Sequence, residues 1–470
     1  MKNKIVIVLL SVVLCLSVFA GCKTEQGNEI KTNTYDVTWQ DAKCGKIDKF
    51  DYTFVGGPSA EQFVENLDTH LAAVDYTGFT MLQLKCSDGK YFAQKVEPIL
   101  KEHGYTASVV DSRITDIIKK RPETDEIYKT VERIVKEYEG CSTLTTWDIA
   151  DGAFESEFDV LGVIVDAFRR YDPSRKTNIN ILPNYMFSAS YGGNGGNEAY
   201  EAYVKKFMEV VRPSYLSVFH YDVTFSWERD GINNVHHMID RDSPELTRIN
   251  NYEIIRKYAK EYDTDIRFVV QFSLLQGNAR LDSRRLRYIY NLAAAYGAKQ
   301  ICVFAYYDGG AAADTSVVGT DWNIQSKTEI LSEANPDMLS LMSAVSGKTV
   351  SEIFHFNPDA ANCFAVKYTG YGDLGNNVTV DTENDSNRSM ITFYTDGSFL
   401  ITDTRMWYNP QKTSQRYSQL KFSNLTLEWF DTETGEWLPA EKCKRMKLSK
   451  EGEYTLKMET AESFIFRVAK

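Results

Sequence analysis

Two aspartates, Asp148 and Asp151, stand at the end of an apolar run in the middle of the chain, where residues 145–152 read TTWDIADG. A carboxyl group at the edge of a cleft can transfer a proton to or from a bond that is being broken. Asp151 has a second interpretation, because an aspartate just before a helix often accepts hydrogen bonds from the first helical turn. Asp148 also has a structural interpretation, as a hydrogen-bonded acid inside the fold. The stretch predicts the rim of a site with Asp151 as its candidate acid and Asp148 as a candidate substrate-binding residue.

Polar and aromatic side chains also follow the apolar runs farther along the chain. They are Asn184, Tyr185, His220, Tyr221, Asp222, Gln271, Tyr306, Tyr307 and Asp308, with Trp227 and Trp322 in the segments after two of these runs. Carboxylates and amides suit the hydroxyl groups of a sugar, and aromatic rings suit its apolar face. The set therefore predicts a site for an oligosaccharide or polysaccharide, in which Asp222 or Asp308 is the second carboxylate beside Asp151. The same residue types would also suit another small polar ligand.

Several of these residues have a structural alternative. His220 ends an apolar strand and is either a sugar ligand or a hydrogen-bonded histidine of the core. Asp308 precedes two glycines, a combination that is also typical of a turn. Trp227 and Trp322 are either stacking surfaces for a ligand or parts of a lid that packs on the fold.

The elements that must position these residues alternate between strands and helices up to about residue 350. Apolar runs of strand length occupy residues 52–55, 79–84, 106–110, 143–149, 177–182, 215–221, 266–271 and 300–306. Amphipathic helices separate them; in residues 157–170, for example, Leu161, Val165 and Phe168 share one face. Eight such repeats predict an α/β fold, a (β/α)8 or TIM barrel, over residues 46–348, with a doubly wound open sheet as the alternative. In such a barrel the loops after the strands carry the chemistry, so the polar residues would meet at one mouth.

After residue 350 the pattern changes to short strands separated by turns. Six runs of strand length occur at residues 364–367, 390–394, 399–402, 425–430, 454–458 and 464–468. Gly397, Gly435 and Gly452 stand in polar turns between them. Residues 351–470 are therefore predicted to form a small all-β sandwich.

The N-terminus has the pattern of a secretory signal. Lys2 and Lys4 precede an apolar run, residues 5–19, which is followed by Ala-Gly-Cys ending at Cys22. Small residues directly before a cysteine resemble the lipobox of bacterial lipoproteins, which implies that residues 1–21 are removed and that Cys22 carries a lipid. Ordinary secretion with cleavage nearby is the alternative. The predicted location is the bacterial cell envelope, outside the cytoplasm, anchored to the membrane through Cys22, with residues 22–45 as a tether and lead-in.

Charge and composition argue against several partners and cofactors. The net charge is −12, and removal of residues 1–21, which contain two lysines and no acid, makes it −14. An acidic surface without a basic block argues against nucleic acid as a partner. The cysteines and histidines lack the close spacing of a metal site, and the glycine-rich residues 191–197 lack the Lys-Ser/Thr end of a phosphate-binding loop. No metal and no cofactor is therefore predicted, and disulfides and free thiols both remain open.

Several short motifs give the chain a family resemblance. Trp147, Ile149, Asp151, Glu157 and Phe158 stand in register with a motif of the type Trp-Tyr-Leu-Gly-Asp-Glu-Pro followed by Glu-Phe. Further motifs are DPSR at 172–175, LPNY at 182–185, HY at 220–221 and AYGA at 295–298. With these, residues 50–345 resemble a group of barrel glycoside hydrolases and related uncharacterised proteins near the beta-galactosidases of family 42. The resemblance implies a TIM barrel that hydrolyses glycosidic bonds.

The chain departs from that motif where acids are expected. Gly152 stands in place of the glutamate, the expected proton donor, and Phe219 in place of an acid that often precedes His-Tyr. The usual nucleophile of such barrels is a glutamate at the end of strand seven. Gln271 stands there, and an amide cannot form a glycosyl ester, although relatives with this motif also carry an amide at that position.

Two functional hypotheses follow. In the first, the protein is a surface-anchored glycosidase with a non-standard carboxylate set based on Asp151, and a loop acid such as Glu155 or Glu228 can also replace the missing donor. In the second, it is a non-catalytic lipoprotein that binds or captures carbohydrate. Gly152 bears on the choice, because loss of a proton donor typically costs about 10²–10⁴ in rate.

Overall fold

The computed structural model describes residues 33–36, 44–187, 195–221, 223–227, 234–238, 247–272, 282–307, 316–380, 387–405 and 417–469. Eight parallel strands form one sheet in the order β1-β10-β9-β6-β5-β4-β3-β2. Each strand lies beside its neighbour in the chain, and the Thr80 N–H donates to the Tyr52 carbonyl at 2.8 Å where β1 meets β2. This order confirms the predicted barrel, because a doubly wound sheet would reverse its strand order near the middle.

Eight of the first ten strands are the barrel strands, and each of these overlaps one of the eight apolar runs of the sequence. The ten strands are β1 (Asp51–Val55), β2 (Met81–Lys85), β3 (Thr106–Val110), β4 (Leu144–Ala153), β5 (Lys176–Ile181), β6 (Leu216–His220), β7 (Val223–Trp227), β8 (Asn234–Met238), β9 (Ile266–Gln271) and β10 (Ala298–Phe304). The pair β7 and β8 is an antiparallel hairpin between the sixth and seventh barrel strands, and it was not predicted.

Helices connect the strands and cover the outside of the barrel. They are α1 (Ala60–Glu65), α2 (Leu67–Thr77), α3 (Gly89–Tyr91), α4 (Glu97–His103), α5 (Ser112–Lys120), α6 (Thr124–Glu137), α7 (Phe158–Tyr171), α8 (Gly196–Val210), α9 (Arg248–Glu261), α10 (Ser283–Ala295) and α11 (Glu329–Val345). In α7 the predicted apolar face is the buried one, since Leu161, Val165 and Phe168 have at most 1% of their surface exposed.

The C-terminal part folds as the predicted all-β unit of two antiparallel sheets. Its strands are β11 (Val350–Phe356), β12 (Val378–Val380), β13 (Ser389–Tyr394), β14 (Ser398–Asp403), β15 (Ser418–Phe422), β16 (Leu427–Asp431), β17 (Glu436–Pro439), β18 (Met446–Leu448), β19 (Tyr454–Met458) and β20 (Ser463–Val468). The strand predicted at residues 364–367 is wrong. That segment forms only an isolated bridge from Lys367 to His355, and β11 occupies the sheet edge instead.

Two further facts bear on the N-terminal and cysteine predictions. Within the described ranges, Cys44, Cys86, Cys141, Cys302, Cys363 and Cys443 are free thiols. Over the same part of the chain, no helix is both long enough and apolar enough to cross a bilayer. Residues 1–22, and with them the predicted lipid site, lie outside the described residues.

Candidate active site at the mouth of the barrel

A bulge in β4 brings the two aspartates to the same side of the strand. Side chains alternate along a strand, so Asp148 and Asp151, three residues apart, would normally face opposite sides. In the pairing with β5, however, Asp148 lies beside Asn178 and Asp151 beside Asn180. Three steps along β4 therefore match two along β5, as at a β-bulge, and both carboxylates share the side of Asn178 and Asn180.

Asp148 lies inside the barrel and is fully engaged. Gln83 Nε2 donates to its Oδ2 at 3.0 Å, and Asn178 Nδ2 donates to its Oδ1 at 2.7 Å. The guanidinium of Arg267, which is buried like Asp148, has Nη1 4.0 Å from Oδ1. These contacts use both carboxylate oxygens and agree with the structural interpretation of this acid. Trp147, by contrast, faces the helices and donates to Asp172 at 2.8 Å.

Asn180 fixes one oxygen of Asp151. Its Nδ2 donates a hydrogen bond to Asp151 Oδ1 at 2.9 Å, and its own Oδ1 accepts one from the Ser217 hydroxyl at 2.6 Å. Because the Ser217 hydroxyl engages the amide oxygen, the amide nitrogen is turned toward the carboxylate. A hydrogen-bonded row across β4, β5 and β6 thus orients Asp151. The helix-cap interpretation does not describe this aspartate, since it belongs to the strand and Glu157 accepts the Phe154 N–H at 2.9 Å.

Asp151 is exposed to solvent although it lies deep in the molecule. A carboxyl group with both properties is expected at the bottom of a solvent-filled cavity, where water reaches one side of the group and protein surrounds the other sides. The surrounding protein raises the pKa of Asp151 above its ordinary value, and the nearby Asp148 adds to the rise. The hydrogen bond from Asn180 and the charge of Arg267 oppose it. A carboxyl group that keeps its proton to a higher pH is suited to donating it.

Three aromatic rings form a wall at the same end of the barrel. We define the aromatic wall as Phe219, Tyr221 and Phe304; the Tyr221 ring centroid lies 5.0 Å from that of Phe219 and 5.1 Å from that of Phe304. All three residues are partly exposed, and β10, which carries Phe304, stands opposite β4 in the ring of strands. A carboxylate on one side and aromatic surface on the other suit the hydroxyl edge and apolar face of a sugar.

A second aromatic feature follows β10. The rings of Tyr307 and Trp322 stack with centroids 4.8 Å apart and planes 7° apart, and both residues are partly exposed. His70 lies with its ring edge-on to Trp322 at 5.7 Å. Trp322 has a positive φ of 58°, which a residue with a side chain rarely adopts and which often marks a functional position. The Tyr307 N–H donates to the Gly56 carbonyl after β1, so this stack lies at the mouth.

Asn184, Tyr185 and His220 meet in a buried group behind the ends of β5 and β6. The His220 ring is fully buried, with Nδ1 3.2 Å from Asn251 Nδ2 on α9 and with the Tyr185 ring edge-on at 5.2 Å. Asn184 Nδ2 donates to the Thr247 carbonyl at 3.4 Å. The structure brings these three predicted residues together, but in the layer between strands and helices, where they support the rim.

Tyr306 is a correction to the predicted binding set. Its ring stacks on Phe54 with centroids 3.9 Å apart, and its hydroxyl lies 2.9 Å from His70 Nδ1 on α2. These contacts place Tyr306 between the barrel and its helices, facing away from the mouth. Phe304, two residues earlier, faces the interior, so the side-chain alternation of β10 does not continue to Tyr306.

The positions where the resemblance expects acids hold other groups. Gly152 has a φ of +74°, a conformation that favours glycine over glutamate. Phe219 packs on the apolar interior residues Val55 and Val269 as part of the aromatic wall. Gln271 is the last residue of β9 and is buried. At two of these positions the local structure therefore suits the residue that is present: the backbone at Gly152 favours glycine, and the apolar surroundings of Phe219 favour an aromatic ring.

Three predicted site residues cannot be placed. Asp222 and Asp308 lie outside the described residues, and so does the side chain of Trp227, the last residue of β7. Four residues of the site were not predicted from the sequence: Asn180, Ser217, and the wall residues Phe219 and Phe304. For the first three, the available signal was the alternation along β5 and β6, which turns residues 178 and 180, and 217 and 219, to the interior. In the described part of the chain, no three His, Cys, Asp or Glu residues are grouped so as to hold a metal ion.

A cleft of about 380 Å³ lies at the opposite end of the barrel. Residues at the starts of the strands line it, among them Asp51, Thr106, Lys176 and Gln300. We place the candidate site at the mouth instead, because barrels of this type carry their chemistry on the loops after the strands and because Asp151 lies there.

Comparison with known proteins yields structural neighbours only. No protein-family model matches the chain, and no curated protein matches it in sequence. Among solved structures it is similar to a glycoside hydrolase, with 8% identity over 93% of this chain and 97% of that chain and a TM-score of 0.49. It is also similar to a glucosidase from Croceicoccus marinus, with 11% identity over 92% of this chain and 97% of that chain and a TM-score of 0.41. For a β-glucuronidase from Ruminococcus gnavus the identity is 10% over 62% of this chain and 49% of that chain, with a TM-score of 0.37. Similarity at this level carries no argument about the reaction of this chain.

Proposed function

We propose that this protein is a glycoside hydrolase that acts at the mouth of its barrel, with Asp151 as the proton donor. The observation that carries the proposal is Asp151 itself, a carboxyl group that is open to solvent yet has a pKa raised by the surrounding protein. Protonation of the glycosidic oxygen needs a carboxylic acid that is still protonated at the working pH.

The groups around Asp151 support a carbohydrate as the substrate class. The aromatic wall, at the same end of the barrel, presents partly exposed ring surface. The stacked pair of Tyr307 and Trp322 provides a second flat surface at the same mouth. A hydrolase also needs a second carboxylate, as a base or a nucleophile. We propose Asp222 or Asp308 for that role, since they follow β6 and β10, whose ends lie at this mouth.

A binding protein without hydrolysis is the second candidate, and specific observations favour it. Gln271 is an amide at the end of the seventh barrel strand, Phe219 is an aromatic residue packed in place of an acid, and Gly152 has a positive φ. A barrel that retained its shape and its aromatic surfaces would still bind a glycan after losing the second acid.

Release of products from a panel of oligosaccharides and polysaccharides tests the two candidates. The assay compares the soluble chain from Lys23 onward with Asp151→Asn and with Asp373→Asn, a control at an exposed aspartate of the β unit. Cleavage that is lost in Asp151→Asn and kept in Asp373→Asn supports the hydrolase. Absence of cleavage together with saturable binding of one glycan supports the binding protein. Absence of both cleavage and binding contradicts both candidates.

We also propose that the protein is anchored in the bacterial cell envelope through a lipid on Cys22. The apolar run at residues 5–19 and the Ala-Gly-Cys sequence that follows it support this proposal. Detergent phase partitioning of the full-length protein expressed in bacteria tests it. The parent protein is expected in the detergent phase and Cys22→Ser in the aqueous phase or still unprocessed, whereas equal partitioning of processed parent and variant would contradict the anchor.

A further inference from the structure

The N-terminal arm, which we define as residues 33–36, is docked on the barrel by specific contacts. The Tyr35 N–H donates to Asp159 Oδ2 at 3.2 Å, and the Tyr35 hydroxyl donates to the Pro122 carbonyl at 2.6 Å. Arg121 Nε donates to the Asn33 carbonyl at 2.8 Å, and its guanidinium lies over the Tyr35 ring, 5.2 Å from the centroid. Arg121 also forms an ion pair with Asp159, so one cation holds the arm and the helix start together.

These contacts place the arm at the mouth end of the barrel. Asp159 is in the first turn of α7, which follows β4 directly. Arg121 Nη1 donates to the carbonyl of Ser156, three residues beyond the last residue of β4, at 3.2 Å. Since β4 also carries Asp151, the arm is docked on the segment that follows the strand of the candidate acid.

The chain then reaches the other end of the barrel before it enters β1. The Ile47 N–H donates to Asp265 Oδ2 at 2.6 Å, and Lys46 pairs with Asp263 at 2.7 Å. Asp265 immediately precedes β9, so these contacts lie at the base, where the strands begin. The polypeptide that leads back to Cys22 therefore leaves the barrel from its mouth end and not from its base.

We infer that the mouth of the barrel faces the lipid surface while the base points away from it. This inference rests on the anchor at Cys22 that is part of the proposed function. Ten residues, 23–32, separate Cys22 from the arm, so eleven residue steps join Cys22 to Asn33, and these span at most ~40 Å even when fully extended. The arm, and the rim that it contacts, then cannot lie farther than about this distance from the bilayer. The substrate that fits this orientation is a glycan displayed at or near the membrane surface.

Energy transfer to acceptor lipids tests the orientation. The full-length protein, purified from membranes and placed in vesicles, is labelled with a donor dye at Glu155→Cys near the mouth or at Asp48→Cys near the base. Both positions are exposed, and Cys363→Ser removes the exposed native thiol. The parent with Cys363→Ser alone, without an added cysteine, corrects for labelling elsewhere. The two labels are separated by roughly 25 Å along the barrel axis, given about 3.3 Å per strand residue.

The mouth label is expected to transfer energy more efficiently than the base label. In a Tyr35→Ala variant, which weakens the arm and lengthens the tether, the difference between the labels is expected to shrink. Equal transfer in the parent, or stronger transfer from the base, would overturn the orientation. If the protein does not float with the vesicles, the proposed lipid anchor at Cys22 is wrong, and the proposed orientation, which depends on that anchor, is wrong as well.

Discussion

Replacement of Asn180 by leucine should make Asp151 a weaker acid. The Asn180 amide donates to Asp151 Oδ1 at 2.9 Å and favours the ionised form, while the surrounding protein opposes ionisation. A hydrogen bond to a charged group is worth about 1.5–3 kcal/mol. Because Asp151 is open to solvent, water recovers part of this loss, and the lower end of the range applies. The ionisation equilibrium should therefore move about tenfold toward the protonated form, and the pKa of Asp151 should rise further.

Infrared titration of the carboxyl groups measures this change, with Asp151→Asn as the blank that identifies the Asp151 signal. Asn178→Leu is the matched control, because that amide donates to Asp148 on the same strand pair and not to Asp151. An unchanged titration of Asp151 in Asn180→Leu would show that the Asn180 amide does not stabilise the ionised form of Asp151. An equal shift in Asn178→Leu would contradict the prediction too, since the effect would then come from general loosening of the barrel.

Three further predictions concern the interior, the aromatic stack and pH. Asp148→Asn leaves Arg267 buried without its counter-charge and should lower the free energy of unfolding by about 3–5 kcal/mol in denaturant titrations, and a loss under about 1 kcal/mol would contradict the pairing. Trp322→Ala removes the ring that stacks on Tyr307 and should weaken glycan binding about tenfold by calorimetry, whereas Trp322→Phe should keep most of the affinity. Burial lowers the pKa of His70 from 6.5 to about 4, so the folded chain binds fewer protons than the unfolded chain between these values. Stability should accordingly fall by about 3 kcal/mol as the pH drops from 6.5 through 4, and His70→Gln should flatten this slope in acid unfolding curves.

The barrel was predictable from the sequence because its strands are buried on both faces and read as apolar runs with amphipathic helices between them. The runs at residues 106–110 and 266–271 coincide with β3 and β9. The hairpin of β7 and β8 was missed, since it lies in a long segment whose pattern does not alternate with a helix. The β unit was recognised from its turns, but five of its strands were not predicted: β11, β12, β15, β17 and β18.

The candidate site was predictable only in part. The fold predicted that the site lies at the strand ends. It did not predict which side chains point to the interior of the barrel and which point to the helices. Asp148 and Asp151 share one side only because of a bulge in β4, and no local sequence signal marks that bulge. Tyr306 lies toward the helices although Phe304, two residues before it, faces the interior, so strand alternation alone would have placed it on the wrong side. Asn180 and Ser217 were overlooked because they lie within strands. The role of a polar side chain there cannot be inferred until it is known which strand face lines the interior of the barrel.

The role of Asp151 as the proton donor to the leaving group underlies the proposed hydrolysis. It is tested most directly by comparing kcat/KM of the parent and of Asp151→Asn on glycosides with the same sugar and different leaving groups. An alkyl or sugar leaving group needs protonation, whereas dinitrophenolate leaves without it. If Asp151 is the proton donor, kcat/KM should fall by about 10²–10⁴ for the poor leaving group and much less for dinitrophenyl. Equal losses on both substrates, or no loss on either, would contradict the role of Asp151 as the proton donor.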